Sequence, residues 1–195
     1  MFVSNAENGA SQQDGYLPLC EPGAVNGLHI SPGGVVDNDP VNLIQGGALL
    51  ELVPIGVVHS AFRTPDEAPH QGRFSGQTAE LEIYPQFMEG LKDVEQVTHL
   101  VVLYWCHLAR RDTLRTKTPF GPEIRGVFAC RSPSRPNPIA FCVVELLEVK
   151  ENRLLVRGID ALDGSPLLGI KPYSSDLDSV PTARIGWFKK RTPRP

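Results

Sequence analysis

The sequence predicts a mainly β protein, either an antiparallel β-barrel or a β-sandwich, with few short helices and an N-terminal extension. Predicted strands follow one another without regular intervening helices, which argues against a doubly wound α/β sheet. The sequence also lacks a GxGxxG turn after a strand, a GKS or GKT phosphate loop and a GxSxG elbow. Its 195 residues suit one domain with an appendage.

Composition divides the chain into three parts. Residues 1–51 contain six acidic residues and no Lys or Arg, and their Gly, Asn, Ser and Pro content predicts an irregular acidic extension. Residues 52–175 are expected to form the β domain, and residues 176–195 a basic tail. No apolar run is long enough to predict a transmembrane helix, and no signal peptide is recognisable. We therefore expect a cytoplasmic protein without a membrane partner.

Alternating and β-branched residues predict the strands. The most apolar run, residues 98–107, predicts a central strand that is buried on both faces. A proline followed by apolar residues at helical spacing predicts a helical turn over residues 85–91. Residues 108–125 are expected to form a long basic loop. The other predicted strands are 52–59, 79–84, 126–130, 138–149, 153–160 and 167–170.

The formal net charge of −3 hides a basic segment. Residues 110–135 hold seven basic residues against two acidic ones, so this segment is a candidate docking surface for an anionic partner. Arg111 and Arg115 are candidate substrate contacts within it. A solvated surface without a partner explains the same charge equally well.

Residues 131–138, Arg-Ser-Pro-Ser-Arg-Pro-Asn-Pro, form the most distinctive stretch. Each proline fixes its own φ angle, lacks an amide donor and favours extended geometry in the residue before it. The stretch is therefore expected to be a stiff loop that presents two guanidinium groups between flanking strands. It is either a site-positioning loop or a connector with solvated arginines.

Other polar candidates stand at predicted strand ends. His107 either holds a ligand or caps its strand. Asp160 and Asp163 fit an Asx turn, or, beside Lys171 and Tyr173, polar recognition of a small molecule. The four cysteines show no CxxC spacing, so no metal site is expected.

Several motifs occur in a specific order. They are Pro-His-Gln at 69–71, Thr-His-Leu at 98–100, Gly-Val-Phe-Ala-Cys-Arg-Ser-Pro-Ser-Arg-Pro-Asn-Pro-Ile at 126–139, Asp-Ala-Leu-Asp-Gly-Ser-Pro at 160–166 and Ile-Lys-Pro-Tyr at 170–173. Together these motifs resemble the TsaA/TrmO (YaeB-like) family over roughly residues 52–175. The long proline block is the most specific of them.

The resemblance implies a small antiparallel β-barrel that binds S-adenosyl-L-methionine, forms a homodimer and methylates tRNA at the exocyclic nitrogen of threonylcarbamoyladenosine. The implied cofactor contacts are Pro69, His70, Gln71, His107, Leu108, Arg131, Phe141, Gly158, Ile159 and Asp160. The implied acceptor side comprises Arg135, Asn137, Asp163, Lys171 and Tyr173, the last four as catalytic candidates.

The sequence departs from the family pattern at several positions. His70 stands where the family has arginine, Cys130 where it has threonine, and Ala140 where it has glycine. The chain also has an acidic extension and ends about twenty residues after Tyr173, so the C-terminal domain that long bacterial members carry is not expected. Two alternatives therefore remain: a methyltransferase acting on a small molecule or protein, and a non-enzymatic S-adenosylmethionine-binding protein.

Overall fold

The computed structural model describes residues 51–188. The predicted N-terminal extension lies outside the described residues except for Glu51, as does the end of the predicted basic tail, residues 189–195. The strands of the described part are β1 (Gly56–His59), β2 (Thr78–Ile83), β3 (His99–Trp105), β4 (Arg115–Thr118), β5 (Gly121–Gly126), β6 (Ile139–Lys150), β7 (Arg153–Arg157) and β8 (Ser165–Pro172).

The helices of the described part are short. The helix α1 (Ser175–Asp178) follows β8, and 3₁₀ helices occupy Gly72–Phe74, Pro85–Leu91, Val94–Gln96 and Val127–Ala129. No helix within residues 51–188 is long and apolar enough to cross a membrane.

Six strands close into an antiparallel barrel in the order β1-β2-β7-β6-β3-β8, which confirms the predicted fold class. Closure removes the unpaired strand edges that an open sheet would expose. The strands β4 and β5 form a separate two-stranded sheet. The antiparallel pairing places the ends of β1, β3 and β7 beside the starts of β2, β6 and β8, at the end of the barrel that we call the site rim.

Alternate side chains of each strand fill the barrel interior, as the two-residue period of a strand requires. Burying one such aliphatic side chain contributes about 1.5–3 kcal/mol. The interior residues that are almost inaccessible to solvent include Val58, Leu81, Ile83, Leu100, Val102, Val144, Leu154, Val156 and Leu167.

Two register shifts let the long strands bend around this core. One lies in β6 opposite β7, between Leu146 and Glu148, and the other in β3 opposite β8, between Leu103 and Tyr104. An irregularity of this kind bends the strand and increases its local twist. The 12-residue strand β6 can therefore pair with β7 near one end and with β3 near the other.

Two predictions about local structure were wrong. The predicted basic loop 108–125 contains the β4–β5 hairpin, whose polar strands lack the apolar alternation that signals a half-buried strand. The predicted strand 126–130 is a 3₁₀ turn in which only Val127 is buried, while Phe128 is 82% exposed. The apolar run there lacks a neighbouring strand to pair with.

Other boundaries move by a few residues. The strand predicted over 153–160 ends at Arg157, because Gly158 adopts a φ of 93°, which breaks the extended geometry. The strand predicted from residue 52 begins at Gly56, after Pro54. The central strand β3 buries Leu100, Val101, Val102 and Tyr104, in agreement with the predicted burial on both faces.

Candidate active site

The site rim gathers most of the residues that the sequence singles out. The loops that meet there follow β1, β3 and β7 or precede β2, β6 and β8. The predicted residues found in these loops or at the first positions of β6 are Pro69, His70, Gln71, His107, Leu108, Arg131, Arg135, Asn137, Phe141, Gly158, Ile159, Asp160 and Asp163.

The carboxylate of Asp160 is the centre of the rim. The hydroxyl of Tyr104 donates to its Oδ1 over 2.6 Å, and the Cys142 thiol approaches the same oxygen at 2.8 Å. The backbone N–H of Gly72 donates to Oδ2 over 3.1 Å. One side chain thus joins β3, β6, the loop before β2 and the loop after β7. A hydrogen bond to a charged group contributes more than a neutral one, about 1.5–3 kcal/mol.

Burial fixes the protons of this network on their donors. Tyr104 is 4% exposed, and burial followed by the nearby charge of Asp160 raises the pKa of its phenol. The same two causes raise the pKa of the Cys142 thiol, and they raise that of Cys106 to about 11. Because the thiolate is the reactive form, neither cysteine is suited to act as a nucleophile at neutral pH.

Gly72, which directly follows the predicted cofactor residues 69–71, touches the predicted cofactor segment 158–160 through its backbone. A Cβ atom on Gly72 would collide with the carbonyl oxygen of Gly158 and would lie 2.7 Å from the carbonyl carbon of Ile159. Only glycine permits this approach. The structure therefore brings together two of the predicted cofactor segments, which stand about 90 residues apart in the sequence.

His107 lies two residues after the end of β3. Its Nδ1 is 3.3 Å from the hydroxyl of Ser165, which is almost completely buried. Partial burial lowers the pKa of His107, so its imidazole is predominantly neutral at neutral pH. A neutral histidine at this position can donate or accept one hydrogen bond without placing a charge in the rim.

Arg131 lies along the start of β6. Its guanidinium donates to the carbonyl oxygen of Phe141 over 2.9 Å and lies 5.8 Å from the centroid of that ring. Phe141 is 47% exposed, and Leu108, in the loop after β3, is exposed as well. The rim therefore offers apolar faces next to a cation.

Arg135 and Arg111 hold the proline loop 131–138 in shape. The guanidinium of Arg135 donates to the carbonyl oxygens of Val127, Cys130 and Ser132 over 2.7–2.9 Å. Arg111 lies 5.6 Å from the Trp105 ring centroid and donates to a loop carbonyl over 3.3 Å. Arg135 thus points into the loop. The sequence-based prediction, in contrast, was that both arginines project from the loop.

Asn137 and Asp163 occupy different surroundings. Asn137 is exposed at the end of the proline loop, and its carbonyl accepts the N–H of Ile139 over 2.8 Å. The Asp163 carboxylate accepts the N–H of Ser60 over 3.1 Å and pairs with Arg63 at 3.2 Å. Asp163 therefore ties its own loop to the loop that follows β1. Asn137, in contrast, is exposed to solvent at the rim.

The remaining candidates, Lys171 and Tyr173, lie toward the opposite end of the barrel. Lys171 on β8 lies directly opposite Val101 on the neighbouring strand β3. The N–H of Tyr173 donates to the His99 carbonyl over 2.9 Å. Six residues of extended chain separate Ser165 from Lys171, which corresponds to roughly 20 Å. Within one chain, the predicted group of Asp163, Lys171 and Tyr173 is therefore divided.

The sequence reading missed Tyr104 and Cys142 as site residues. Both were counted as apolar strand residues, although a tyrosine in a buried strand needs a partner for its hydroxyl. That requirement was the available signal for Tyr104; its partner Asp160 was visible only after barrel closure. Residues 51–188 contain no cluster of three or more His, Cys, Asp or Glu residues with metal-ligand geometry. The predicted substrate contact Arg115 lies on the β4–β5 hairpin.

The closed six-stranded antiparallel barrel places the described part of the chain among small β-barrel domains. Residues 57–179 match the family model described as the tRNA-methyltransferase O N-terminal domain. The chain belongs to this family, which confirms the resemblance recognised in its motifs.

Two relatives with similar sequences are named as S-adenosyl-L-methionine-binding proteins. A "Probable S-adenosyl-L-methionine-binding protein" of Archaeoglobus fulgidus is 54% identical over 75% of this chain and 40% of the relative. An "S-adenosyl-L-methionine-binding protein" of the same organism is 55% identical over 66% of this chain and 93% of its own length.

Solved structures also resemble the chain. TrmO from Pseudomonas aeruginosa superposes with a TM-score of 0.63 at 35% identity, covering 76% of this chain and 66% of TrmO. The chain thus spans less than half of the first Archaeoglobus relative and about two thirds of this TrmO structure.

Replacing Gly72 by alanine should separate the two docked segments. We expect the free energy of unfolding to fall by about 1–3 kcal/mol, because the new methyl group meets backbone atoms that cannot rotate away. Urea unfolding measures this change. Gly76→Ala is the matched control, since a Cβ there meets nothing within 4 Å. Equal stability of the two variants would contradict the close approach.

Replacing Tyr104 by phenylalanine should cost about 1.5–3 kcal/mol of unfolding free energy, because the half-buried Asp160 carboxylate loses a donor while the packing of the ring is kept. A double-mutant cycle with Asp160→Asn isolates the coupling between the two residues. Additive losses in that cycle would show that the 2.6 Å contact is energetically unimportant.

Proposed function

We propose that this chain is an S-adenosylmethionine-dependent methyltransferase whose acceptor is the exocyclic nitrogen of threonylcarbamoyladenosine in tRNA. The observation that carries the proposal is the backbone contact between segments 69–74 and 158–160 at the site rim. These segments hold the positions at which the family contacts its cofactor, and the family model supplies the link to tRNA.

The rim residues fit the chemical parts of S-adenosylmethionine. Phe141 and Leu108 offer exposed apolar faces that suit an adenine ring, and Arg131 beside Phe141 suits a carboxylate. Neutral His107 and the backbone of Gly158–Asp160 can serve ribose hydroxyls or the amino group. Pro69, His70 and Gln71 complete the rim, with His70 exposed where the family has arginine.

Asp160 acts as a scaffold in this proposal. Its Oδ1 already receives the Tyr104 and Cys142 donors and its Oδ2 receives Gly72, so the side chain fixes the loops that line the cofactor. The backbone of the same residue would contact the bound cofactor. This arrangement supports cofactor binding by a preorganised rim, which needs little rearrangement when the ligand arrives.

The bound cofactor would supply an electrophilic methyl group on a sulfonium centre. The protein then has to align the acceptor nitrogen with that methyl group and keep water out. Asn137, exposed at the end of a loop held by Arg135 and Arg111, is placed to orient the acceptor with its amide. Asp163 lies on the same rim and is the candidate to receive the proton that the acceptor nitrogen releases.

A homodimer would reunite the divided candidates. The outer face of β3 and β6 carries Val101, Phe141 and Ile139, the last two 47% and 41% exposed. A second copy packed on this apolar face in the opposite direction would bring the Lys171 and Tyr173 of one copy toward the rim of the other.

A tRNA substrate would also place the protein in the cytoplasm.

The decisive experiment is transfer of labelled methyl groups to tRNA. The full chain is incubated with methyl-labelled S-adenosylmethionine and tRNA from a strain that lacks the family enzyme, and the digested nucleosides are separated. We expect label in the threonylcarbamoyladenosine fraction. Control tRNA without the threonylcarbamoyl group should stay unlabelled, because it lacks the proposed acceptor.

Two other outcomes would overturn the tRNA assignment. Cofactor binding without transfer to any RNA would favour a binding protein, which is how the two Archaeoglobus relatives are named. Transfer to small molecules or proteins alone would favour another acceptor on the same barrel, in line with the acidic composition of residues 1–51.

Asn137→Ala should lower kcat by about 100-fold, because the acceptor would lose its orientation relative to the methyl group. The affinity for S-adenosylmethionine should change by less than about twofold, since this residue is assigned to the acceptor side. Single-turnover kinetics and calorimetric titration measure the two quantities. Equal losses in both would mean that Asn137 holds the cofactor or the fold.

A further inference from the structure

Phe74 exposes more of its side chain than any other large apolar residue that the structure describes. It is 87% exposed, although phenylalanine is among the residue types most often buried. It ends the 3₁₀ helix Gly72–Phe74, in the rim loop before β2. Its ring is not part of the hydrophobic core of the described residues, so the ring is open to a ligand.

Other apolar side chains are exposed at the same rim. A single exposed apolar residue is common on a protein surface and needs no partner. The rim, however, also exposes Leu108 in the loop after β3 and Phe141, the third residue of β6. The 3₁₀ helix that carries Phe74 lies against the same strand β6. The proposed function assigns Leu108 and Phe141 to the adenine of the cofactor, which leaves Phe74 as an apolar group without an assigned ligand.

The backbone that carries Phe74 is held in place. The N–H of Gly72 donates to the Asp160 carboxylate over 3.1 Å, and Gly72 packs on the backbone of Gly158 with no room for a Cβ atom. The N–H of Phe74 donates to the carbonyl oxygen of Gln71 over 3.1 Å. A ring on a fixed backbone loses little further freedom when a ligand binds, which favours affinity.

Phe74 is close to the proposed cofactor contacts. It follows three residues after Gln71, the last of the predicted cofactor residues 69–71. Three residues of chain span at most about 10 Å. The ring therefore lies beside the cofactor segment, where the part of a substrate next to its reacting group would pass.

The charge around Phe74 favours an anionic ligand. Arg73 precedes it, is exposed, and forms no ion pair with any residue in the range 51–188. No acidic residue occurs between Glu67 and Glu80. An open aromatic ring beside an unpaired cation is the combination with which proteins stack an unpaired base of RNA and hold its phosphate.

We infer that Phe74 stacks on an unpaired base that flanks the acceptor nucleotide in the RNA substrate, and that Arg73 contacts the phosphate backbone there. The inference rests on the proposed tRNA function, and it adds the residues that position the RNA beside the cofactor. An enzyme that modifies a base has to take that base out of the stack. The ring of Phe74 replaces the stacking contact that the neighbouring base loses.

The first test measures the dissociation constant of fluorescently labelled tRNA from variants of the full chain by anisotropy. Phe74→Ala should raise this constant about tenfold, because stacking on one base contributes to affinity on that order. Phe74→Leu keeps an apolar side chain without an aromatic face and should bind like the alanine variant, whereas Phe74→Trp should restore binding. The affinity for S-adenosylmethionine, measured by calorimetry, should change by less than about twofold in all three, since the ring is assigned to the RNA.

The matched control is Leu177→Ala. Leu177 is 84% exposed in α1, which follows the end of β8 opposite the rim. This variant should bind tRNA like the unaltered chain. Arg73→Gln separates charge from stacking: it should lower the slope of log affinity against log salt by about 0.7, whereas Phe74→Ala should leave that slope unchanged.

A second measurement identifies the stacked base. RNA stem-loops that carry threonylcarbamoyladenosine in the loop are prepared with an abasic nucleotide on one side of it or on the other. One of the two abasic sites should weaken binding to the unaltered chain about tenfold and leave binding to Phe74→Ala unchanged, because the variant no longer has a ring for the missing base to stack on.

Four results would overturn the inference: no tRNA binding by the unaltered chain, unchanged tRNA affinity of Phe74→Ala, restoration of binding by Phe74→Leu as complete as by Phe74→Trp, or equal losses of tRNA and S-adenosylmethionine affinity in Phe74→Ala. The third would indicate a plain apolar contact such as a second copy of the chain, and the fourth would place the ring in the cofactor pocket. Failure of the proposed function looks different, because tRNA binding would still depend on Phe74 while labelled methyl transfer to the tRNA would be absent.

Discussion

The half-buried carboxylate of Asp160 is the interaction on which the rim depends. A charge partly removed from water is costly unless hydrogen bonds replace the lost hydration. Here the replacement comes from Tyr104, Cys142 and Gly72, which lie on three separate parts of the chain. The need to satisfy one charge therefore fixes the relative positions of β3, β6 and the loop before β2. A cofactor bound there would meet a surface that is already assembled.

This network also restricts the chemistry of the rim. Its phenol and thiol keep their protons, since burial and the Asp160 charge raise the pKa of each. His107 stays neutral for the related reason that burial disfavours its charged form. A rim without a reactive thiolate or a strong base suits a reaction in which the donor is already activated and the protein mainly aligns two ligands.

The sequence predicted the barrel strands well because their alternation reports one buried face; β2 and β6 lie close to their predicted limits. It failed for β4 and β5, since the polar Arg115–Thr118 strand pairs away from the core and carries no such pattern. The sequence motifs singled out residues that lie at the rim. No local sequence pattern, however, links Gly72, Tyr104, Cys142 and Asp160. Only closure of the barrel brings those four together.

The proline loop shows why a residue type alone did not settle a role. Prolines remove N–H donors, so the loop has more carbonyl acceptors than its own backbone can satisfy. The five N–H groups of an arginine can make up that deficit, and Arg135 does so with three carbonyls. The guanidinium of Arg131 instead reaches β6, where it donates to the carbonyl oxygen of Phe141. The loop is thus stiffened from within by one arginine, while Arg131 and Asn137 remain exposed at its two ends.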